Sequence, residues 1–467
     1  MPVLFRDYET LSRLNLSDVG AWKYAGDAST DVWCVGYAVD DGPVQTWLPG
    51  QPIPEPFQIA AIDSTWTVVA HNDAFERAIE ERLLGPRYGW PLVPIEQHRC
   101  TWAAALANAL PGALDKVAPA LGLPFRKDAE GHRLMLAMSK PRKPRPGEDP
   151  AGIYWHDDPD KLRRLIAYNV RDVETERALY RRVPPLSDAE QILWQLDSAI
   201  NRRGFHVDVP LAEAARKIVR ERRSAINHEL AELTGGRITS IAQVNRITDY
   251  LKKRGHKIAG IGKRSVAAVL AHGPDEDIAR LLRLRQEGSK ASASKLDALF
   301  DMANDDRIHG ALRFHTASTG RWSGSGFQPH NLARAQPADP EAAIAAVMSG
   351  DLARVAAIGP PLEVISSLSR SLICAAPGKV LISADFASVE PRALCWLAGE
   401  TWKLDAFRKF DATGDLAFEN YCMVATKVLH RNVTPDDEEG RQIGKYMELA
   451  FGYGGALGAF RKIAPDA

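Results

Sequence analysis

Asp7 and Glu9 lie two apart in the run VLFRDYETL, so on a strand both carboxylates leave the same face. Two such acids repel each other unless a cation bridges them. Downstream, HNDAFERAIEERLL offers Asn72, Phe75 and Glu76 where a strand gives way to a helix, with Asp73 as a fallback acid. Further on, YNVRD puts Tyr168 and Asp172 at i and i+4, on one helical face. Four acids from three segments, with a tyrosine to orient a water, suit hydrolysis of a phosphodiester: one divalent ion activates water while a second stabilises the leaving oxygen. Each piece alone is commonplace, and a D-x-E on a strand is ordinarily a surface pair. The joint order and spacing carry the reading.

A second constellation lies towards the other end. In ISADFASVEPRAL, Asp385 closes an apolar β-like run and Glu390 follows five residues later. A carboxylate at the end of a buried strand is costly unless a cation sits on it. The later segment RQIGKYMELAFGYGG carries Arg441, Lys445 and Tyr453 on steps of four, one slowly winding helical stripe with two cations. An acid for a metal and a basic helix for a polyphosphate are the parts of nucleotidyl transfer. Between the two, TASTGRWSGSGFQPHNLAR sets Arg321, His330 and Asn331 among glycines, which let a nucleic-acid backbone or minor-groove edge come close.

The elements that must position these residues are legible in outline. Residues 1 to about 185 read as α/β: VLFRDYE, VWCVGYAV and WTVVAH are strand-like, while FERAIEERLL, AAALANAL and LRRLIAYNVRDVETERALYRRV have helical spacing. Pro184-Pro185 followed by SDAE marks a boundary and a capped helix start. A long charged helical pattern runs from Ala189 to about Glu232, and short basic helices follow to about Lys295. The tract KPRKPRPGEDP reads as an exposed loop of the first domain.

At 467 residues the chain can bury several cores, and its net charge is zero. The charge is unevenly spread: residues 186–335 hold 24 Lys/Arg against 17 Asp/Glu, an excess of seven cations. A basic middle beside acidic sites suits a polyanion track. The five cysteines are scattered without a CxxC pair, which argues against a disulfide framework or zinc ribbon. With no signal pattern and no apolar run long enough to span a bilayer, the expected location is the cytoplasm, with no membrane partner.

The segments DYET, HNDAFE and YNVRD resemble the three motifs of the 3′–5′ proofreading exonucleases. TGRWS, HNLAR, SADFASVEPR and RQIGKYMELAFGYGG, in that order, resemble family A DNA polymerases of the bacterial polymerase I type, bacteriophage-like members above all. The resemblance spans nearly the whole chain. It implies an α/β architecture: an RNase H-like exonuclease domain over 1–185, then an incomplete right-hand polymerase domain over 186–467. Within the latter a helical thumb covers about 186–310, the start of the palm about 311–400, and the first part of the fingers about 401–467.

The resemblance also implies roles. Asp7, Glu9, Glu76 and Asp172 would hold two Mg²⁺ or Mn²⁺ ions, and Tyr168 would help to position water. Asp385 would bind the metals of synthesis, and Glu390 would lie under the incoming sugar. Arg441 and Lys445 would grip the triphosphate, with Tyr453 near the templating base. Arg321, His330, Asn331 and Arg392 would contact DNA. The implied partners are primer-template DNA, a single-stranded 3′ end and dNTPs. Two residues depart from the pattern: Glu76 stands where the family has Asp, and Leu449 where many members have an aromatic residue. The family's later His-Asp motif has its only dipeptide match at His156-Asp157, in the first domain. The expectation is therefore a chain that keeps nuclease activity but needs a C-terminal part, or a separate chain completing the palm, for synthesis. The alternatives are a stand-alone 3′–5′ exonuclease with a DNA-clamping C-terminal region, and a non-catalytic DNA-binding subunit.

Overall fold

A computed structural model describes residues 1–123, 128–256, 258, 260–290, 292–334, 336–452 and 454–463. It divides into two compact units, Met1–Lys379 and Val380–Ala467.

The first unit begins with a five-stranded sheet. β1 (Val3–Leu11), β2 (Asp31–Val39), β3 (Gln45–Trp47), β4 (Thr67–Ala70) and β5 (His98–Cys100) lie in the order β3-β2-β1-β4-β5. β1 is central: it pairs antiparallel with β2 and parallel with β4, which in turn pairs parallel with β5. The three strand runs expected in residues 1–185 all form. A register shift between Glu9 and Thr10 bulges the β1–β2 ladder, the kind of irregularity that re-aims a side chain.

α1 (Asp73–Ile79) follows β4 directly, entered through Asn72 in the left-handed region at φ 75°. Asparagine tolerates that conformation better than most side chains. The expected helix FERAIEERLL is not uniform, because residues Glu80–Leu84 form a π-helical turn. α2 (Pro159–Arg182) is 24 residues long. Asp158 caps it through the amides of Asp160 and Lys161, with proline in its first turn. Its buried stripe includes Leu165, Tyr168, Asn169, Val173, Glu176 and Leu179, the 3.6-residue period of a helix laid on a sheet. Phe5, Val69 and Val173 share an apolar cluster, so α2 covers the β1 face that carries Phe5, Asp7 and Glu9.

The rest of this unit is mainly helical, with two small sheets. α3 (Asp188–Arg203) starts at Ser187, whose side chain accepts from the amide of Glu190, as the SDAE pattern predicts. The long helical pattern from Ala189 to about Glu232 is carried by two helices. Gly204 at φ 70° breaks it, the strand Phe205–His206 intervenes, and α4 (Val209–Leu233) begins after the Asp208 cap. A large core from Val207 to Leu372 unites α4 with the helices that follow, Ile218, Ile226, Leu282 and Leu299 being fully enclosed.

The second unit packs α5 (Val389–Ala398), α6 (Thr401–Thr413), α7 (Asn420–Leu429) and α8 (Glu438–Phe451). α8 approaches α7 closely because Gly444 has no side chain: a Cβ there would stand 2.0 Å from the Tyr421 carbonyl oxygen. Lys403 of α6 and Glu448 of α8 form a buried ion pair at 2.6 Å.

The apolar run before Asp385 does not form the expected strand. Val380, Leu381 and Ile382 have no regular structure and are 80%, 65% and 89% exposed. The physical reason is pairing: among the described residues no strand lies beside this run, and an unpaired strand is not stable in water. No helix among the described residues is long and apolar enough to cross a membrane.

Candidate functional site

Asp7, Glu9 and Asp172 converge as the sequence predicts. One ligand atom from each lies within 4.8 Å of the others, the only such group of three or more His, Cys, Asp or Glu among the described residues. β1 supplies the first two at i and i+2, and α2 brings the third across the sheet face. Tyr168 is buried against this cluster and hydrogen-bonds Asp172; burial and then the charges of Asp172 and Glu9 push its phenol well up. These donors are all hard oxygens, the set that suits a small divalent cation.

Glu76 is buried close by but stands outside that group of three. Burial, followed by the charge of Asp7, holds its carboxyl well above the usual range. Asp73, the fallback acid, is not available. It is fully buried with Arg6 Nη2 at 2.9 Å and His98 Nδ1 at 2.8 Å, and these two partners hold it low against the effect of burial. Arg6 also reaches Glu80 at 2.7 Å, and Tyr8 donates to the same carboxylate at 2.5 Å. The alternation of β1 explains the separation: Arg6 and Tyr8 leave the opposite face from Asp7 and Glu9.

Two residues of the site escaped the sequence reading, although both lie in or beside YNVRD. Asn169 donates through Nδ2 to the Asp7 carbonyl at 3.1 Å and to Asp7 Oδ2 at 2.7 Å. Glu176, one turn beyond Asp172, accepts from the His71 amide at 3.0 Å and is 1% exposed. Burial and the charges of Asp7 and Glu76 raise its carboxyl well above the usual range. The i+4 spacing from Asp172 was the available signal.

The second constellation is looser. Asp385 and Phe386 lie on the exposed segment before α5, and among the described residues no cluster of three or more His, Cys, Asp or Glu includes Asp385. Glu390 sits half-buried in the first turn of α5. Arg392 is tied to Asp411 by two hydrogen bonds of 2.6 and 2.7 Å and lies over the Phe407 ring. On α8, Arg441 reaches Glu419 at 3.0 Å; Lys445 is half-buried and Leu449 is 39% exposed. Tyr453 lies outside the described residues. Arg321 sits in a hairpin between the short strands Leu312–Arg313 and Ser323–Gly324, and His330 and Asn331 form a 3₁₀ turn after it. Trp322 anchors that hairpin, donating to Asp197 of α3 at 2.7 Å. In the basic tract of 140–150 both arginines are paired, Arg142 with Glu148 and Arg145 with Asp157.

An acid cluster on a five-stranded sheet, joined to a helical body with an arginine hairpin, is the make-up of an enzyme that works on polynucleotides. No family model matches the chain. It is 32% identical over 469 residues to the DNA polymerase of Bacillus phage SP02, a match covering 98% of this chain and 70% of the phage protein. The POL domain of Pol1 from M. smegmatis, solved in complex with DNA primer-template and dNTP, aligns with a TM-score of 0.56. That match is at 15% identity, over 94% of this chain and 68% of the other, and speaks to fold alone. The chain belongs to the family A DNA polymerases, which are nucleotidyltransferases.

Proposed function

We propose that residues 1–185 are an RNase H-like 3′–5′ exonuclease domain that edits DNA made by a polymerase domain over 186–467, in replication, including viral replication, or in repair. The observation that carries the nuclease reading is the convergence of Asp7, Glu9 and Asp172 within 4.8 Å, with Tyr168 bonded to Asp172. The strand order, with the acids on the central strand, supports it.

The cluster fits divalent ions, since it gathers acceptor-only oxygens with the buried Glu76 nearby, whose Oε2 has no hydrogen-bond partner among the described residues. Mg²⁺ or Mn²⁺, when bound, would ease deprotonation of a water so that it attacks phosphorus as hydroxide, and would offset the charge on the departing 3′ oxygen. Asp7, Glu9 and Asp172 fix where that charge sits, Glu76 adds reach at its edge, and the Tyr168 hydroxyl orients water. The substrate is a single-stranded 3′ end: a mispaired primer frays because stacking is lost, which selects errors without a base-reading pocket. Replacing Asp7 with Ala should abolish metal-dependent trimming of single-stranded DNA. A D7A protein that still digests such strands would overturn the assignment.

For synthesis, primer-template DNA and dNTPs are the proposed ligands. Arg321, His330, Asn331 and Arg392 would serve the DNA, with Glu390, Arg441, Lys445, Leu449 and Tyr453 around the nucleotide. The complex named for the Pol1 structure supports this choice. Asp385, on an exposed unpaired segment, needs strands beside it to present a carboxylate to a metal. This chain alone should therefore extend primers poorly, and a chain completing the palm should restore synthesis. Primer extension with and without such a partner tests this, and robust synthesis by the chain alone would sink it. The exposure of Asp385 also favours the second reading, a stand-alone nuclease whose C-terminal region clamps DNA; failure of every palm-completing partner to restore synthesis would support it. Both readings place the protein in the cytoplasm.

A further inference from the structure

Cys374 differs from the other four cysteines: Cys34, Cys100, Cys395 and Cys422 are buried, whereas Cys374 is only partly covered. Two groups are lined up behind its sulfur. His206 Nδ1 stands 3.0 Å from Sγ, and the other ring nitrogen, Nε2, stands 3.1 Å from Asp306 Oδ2. Main-chain bonds hold the three segments in place. The Cys374 amide donates to the His206 carbonyl at 3.1 Å, Val207 bridges Ile373, and the Val207 amide donates to the Asp306 carbonyl at 2.9 Å. Asp306 sits in the turn between the strands Ala303–Asn304 and Arg307–Ile308, and the second of these pairs with Phe205–His206. Thiol, imidazole and carboxylate thus come from three parts of the sequence and form one chain of contacts.

The carboxylate decides the tautomer. In the neutral ring the nitrogen facing Asp306 carries the hydrogen and donates it, which leaves Nδ1 to accept from the thiol. That is the order of a nucleophile, its base and the group that orients the base. A base is needed here. Burial, and then the charges of Asp208 and Asp306, push the Cys374 thiol up, so little thiolate stands ready at neutral pH. We infer that Cys374 is a site of thiol–disulfide exchange that takes the disulfides of small thiols, with His206 as its base and Asp306 positioning that base. Sγ gives its proton to His206 Nδ1 and bonds to one sulfur of the reagent. The reagent's own S–S bond breaks, and the departing thiolate takes the proton from His206. One mixed disulfide and one free small thiol result. The Asp306 side chain is 57% exposed, so the site opens to solvent on that side. The adduct would fall where residues 206–208 clasp 372–374, shortly before the first unit ends at Lys379. In a reducing compartment such a thiol serves redox sensing, because lasting bridges do not persist there. The rival explanation is a structural S–H···N bond around an inert thiol.

Treating the full chain with oxidised glutathione at neutral pH, and following the adduct by peptide mass spectrometry, separates the two. The adduct should form on Cys374 and be lost in Cys374→Ser. Its rate should match or exceed that of an unstructured cysteine peptide, in spite of partial burial. His206→Gln should slow it about tenfold or more, the low end of what a positioned base contributes. Asp306→Asn should slow it about threefold or more, because the ring loses the charge that orients it. That second substitution lies on an exposed side chain and leaves the main-chain bonds of the clasp in place, so it guards against local unfolding in the histidine variant. A parent protein more than about tenfold slower than the peptide, or both variants within twofold of the parent, would overturn the inference in favour of the inert thiol. The test is independent of the nuclease reading, since it scores an adduct and not the trimming of 3′ ends.

Discussion

Asn169 holds Asp7 by two atoms at once, its amide donating to the backbone carbonyl at 3.1 Å and to the carboxylate at 2.7 Å. The contact needs room on β2. Gly36 lies opposite Asp7 in the ladder, and a Cβ there would stand 2.1 Å from Asn169 Oδ1. A glycine on one strand thus lets a helix residue orient an acid on the next.

Asn169→Ala should therefore lower 3′ trimming about 10- to 100-fold, the usual effect of losing a group that orients a metal-binding carboxylate. Gly36→Ala should act in the same direction by displacing Asn169. Trimming rates set against Mn²⁺ affinity check both, and rates within twofold of the parent would show that Asp7 does not need this support.

The opposite face of β1 sets fold stability. Arg6 is enclosed with Asp73 and Glu80, so Arg6→Met would leave two buried acids without their cation. Breaking a buried pair in this way costs about 3–5 kcal/mol. Urea denaturation should show a loss of that size in the transition that includes the sheet. Asp73→Asn should cost less, since His98 and Arg6 keep a polar partner.

The nuclease-like site was legible because its acids sit on elements of strong local period: a β1 alternation for Asp7 and Glu9, an i, i+4 helix pair for Tyr168 and Asp172. Glu176 and Asn169 were missed because their partners, the His71 amide and Asp7, lie far away in sequence. Asp73 looked like a ligand because linear order cannot say which face of a sheet a helix N-terminus will meet. The run before Asp385 has strand composition, yet a strand is stabilised by its neighbours, and that information is not local. Gly204 was the readable sign that the long helix would break, and its φ of 70° shows why.

Asp197 gives the protein a pH-dependent contact. Burial raises its carboxyl to about 6, against the hydrogen bonds from Trp322 and Asn201 that favour its charged form. The folded state therefore holds this proton more tightly than the unfolded chain, whose Asp titrates near 3.8. The stability from the protonated form is fully present below about pH 4 and is lost as the pH rises through 6. Asp197→Asn, which can still accept from Trp322, should raise the melting temperature at pH 8 and have little effect near pH 4. The gap between 3.8 and about 6 is worth about 3 kcal/mol at most. Equal melting temperatures at both pH values would show the carboxylate to be adequately solvated.

Duplex binding by the helical body should be governed by salt. Its excess of seven cations is partly spent internally, since Arg222 pairs with Glu287 and Arg280 with Glu229. Lys252 and Lys253 are both exposed at the end of the helix Val244–Lys253, one turn beyond Asp249. If each meets one phosphate, changing both to Gln should make the slope of log affinity against log salt shallower by about 2. The loss in affinity should be similar for every duplex sequence, because phosphate contacts carry no base information. Fluorescence anisotropy with labelled duplexes at several salt concentrations measures both quantities. An unchanged slope would put the DNA track on another face of this body, and Arg313 with Arg321 in the hairpin would be the next residues to neutralise.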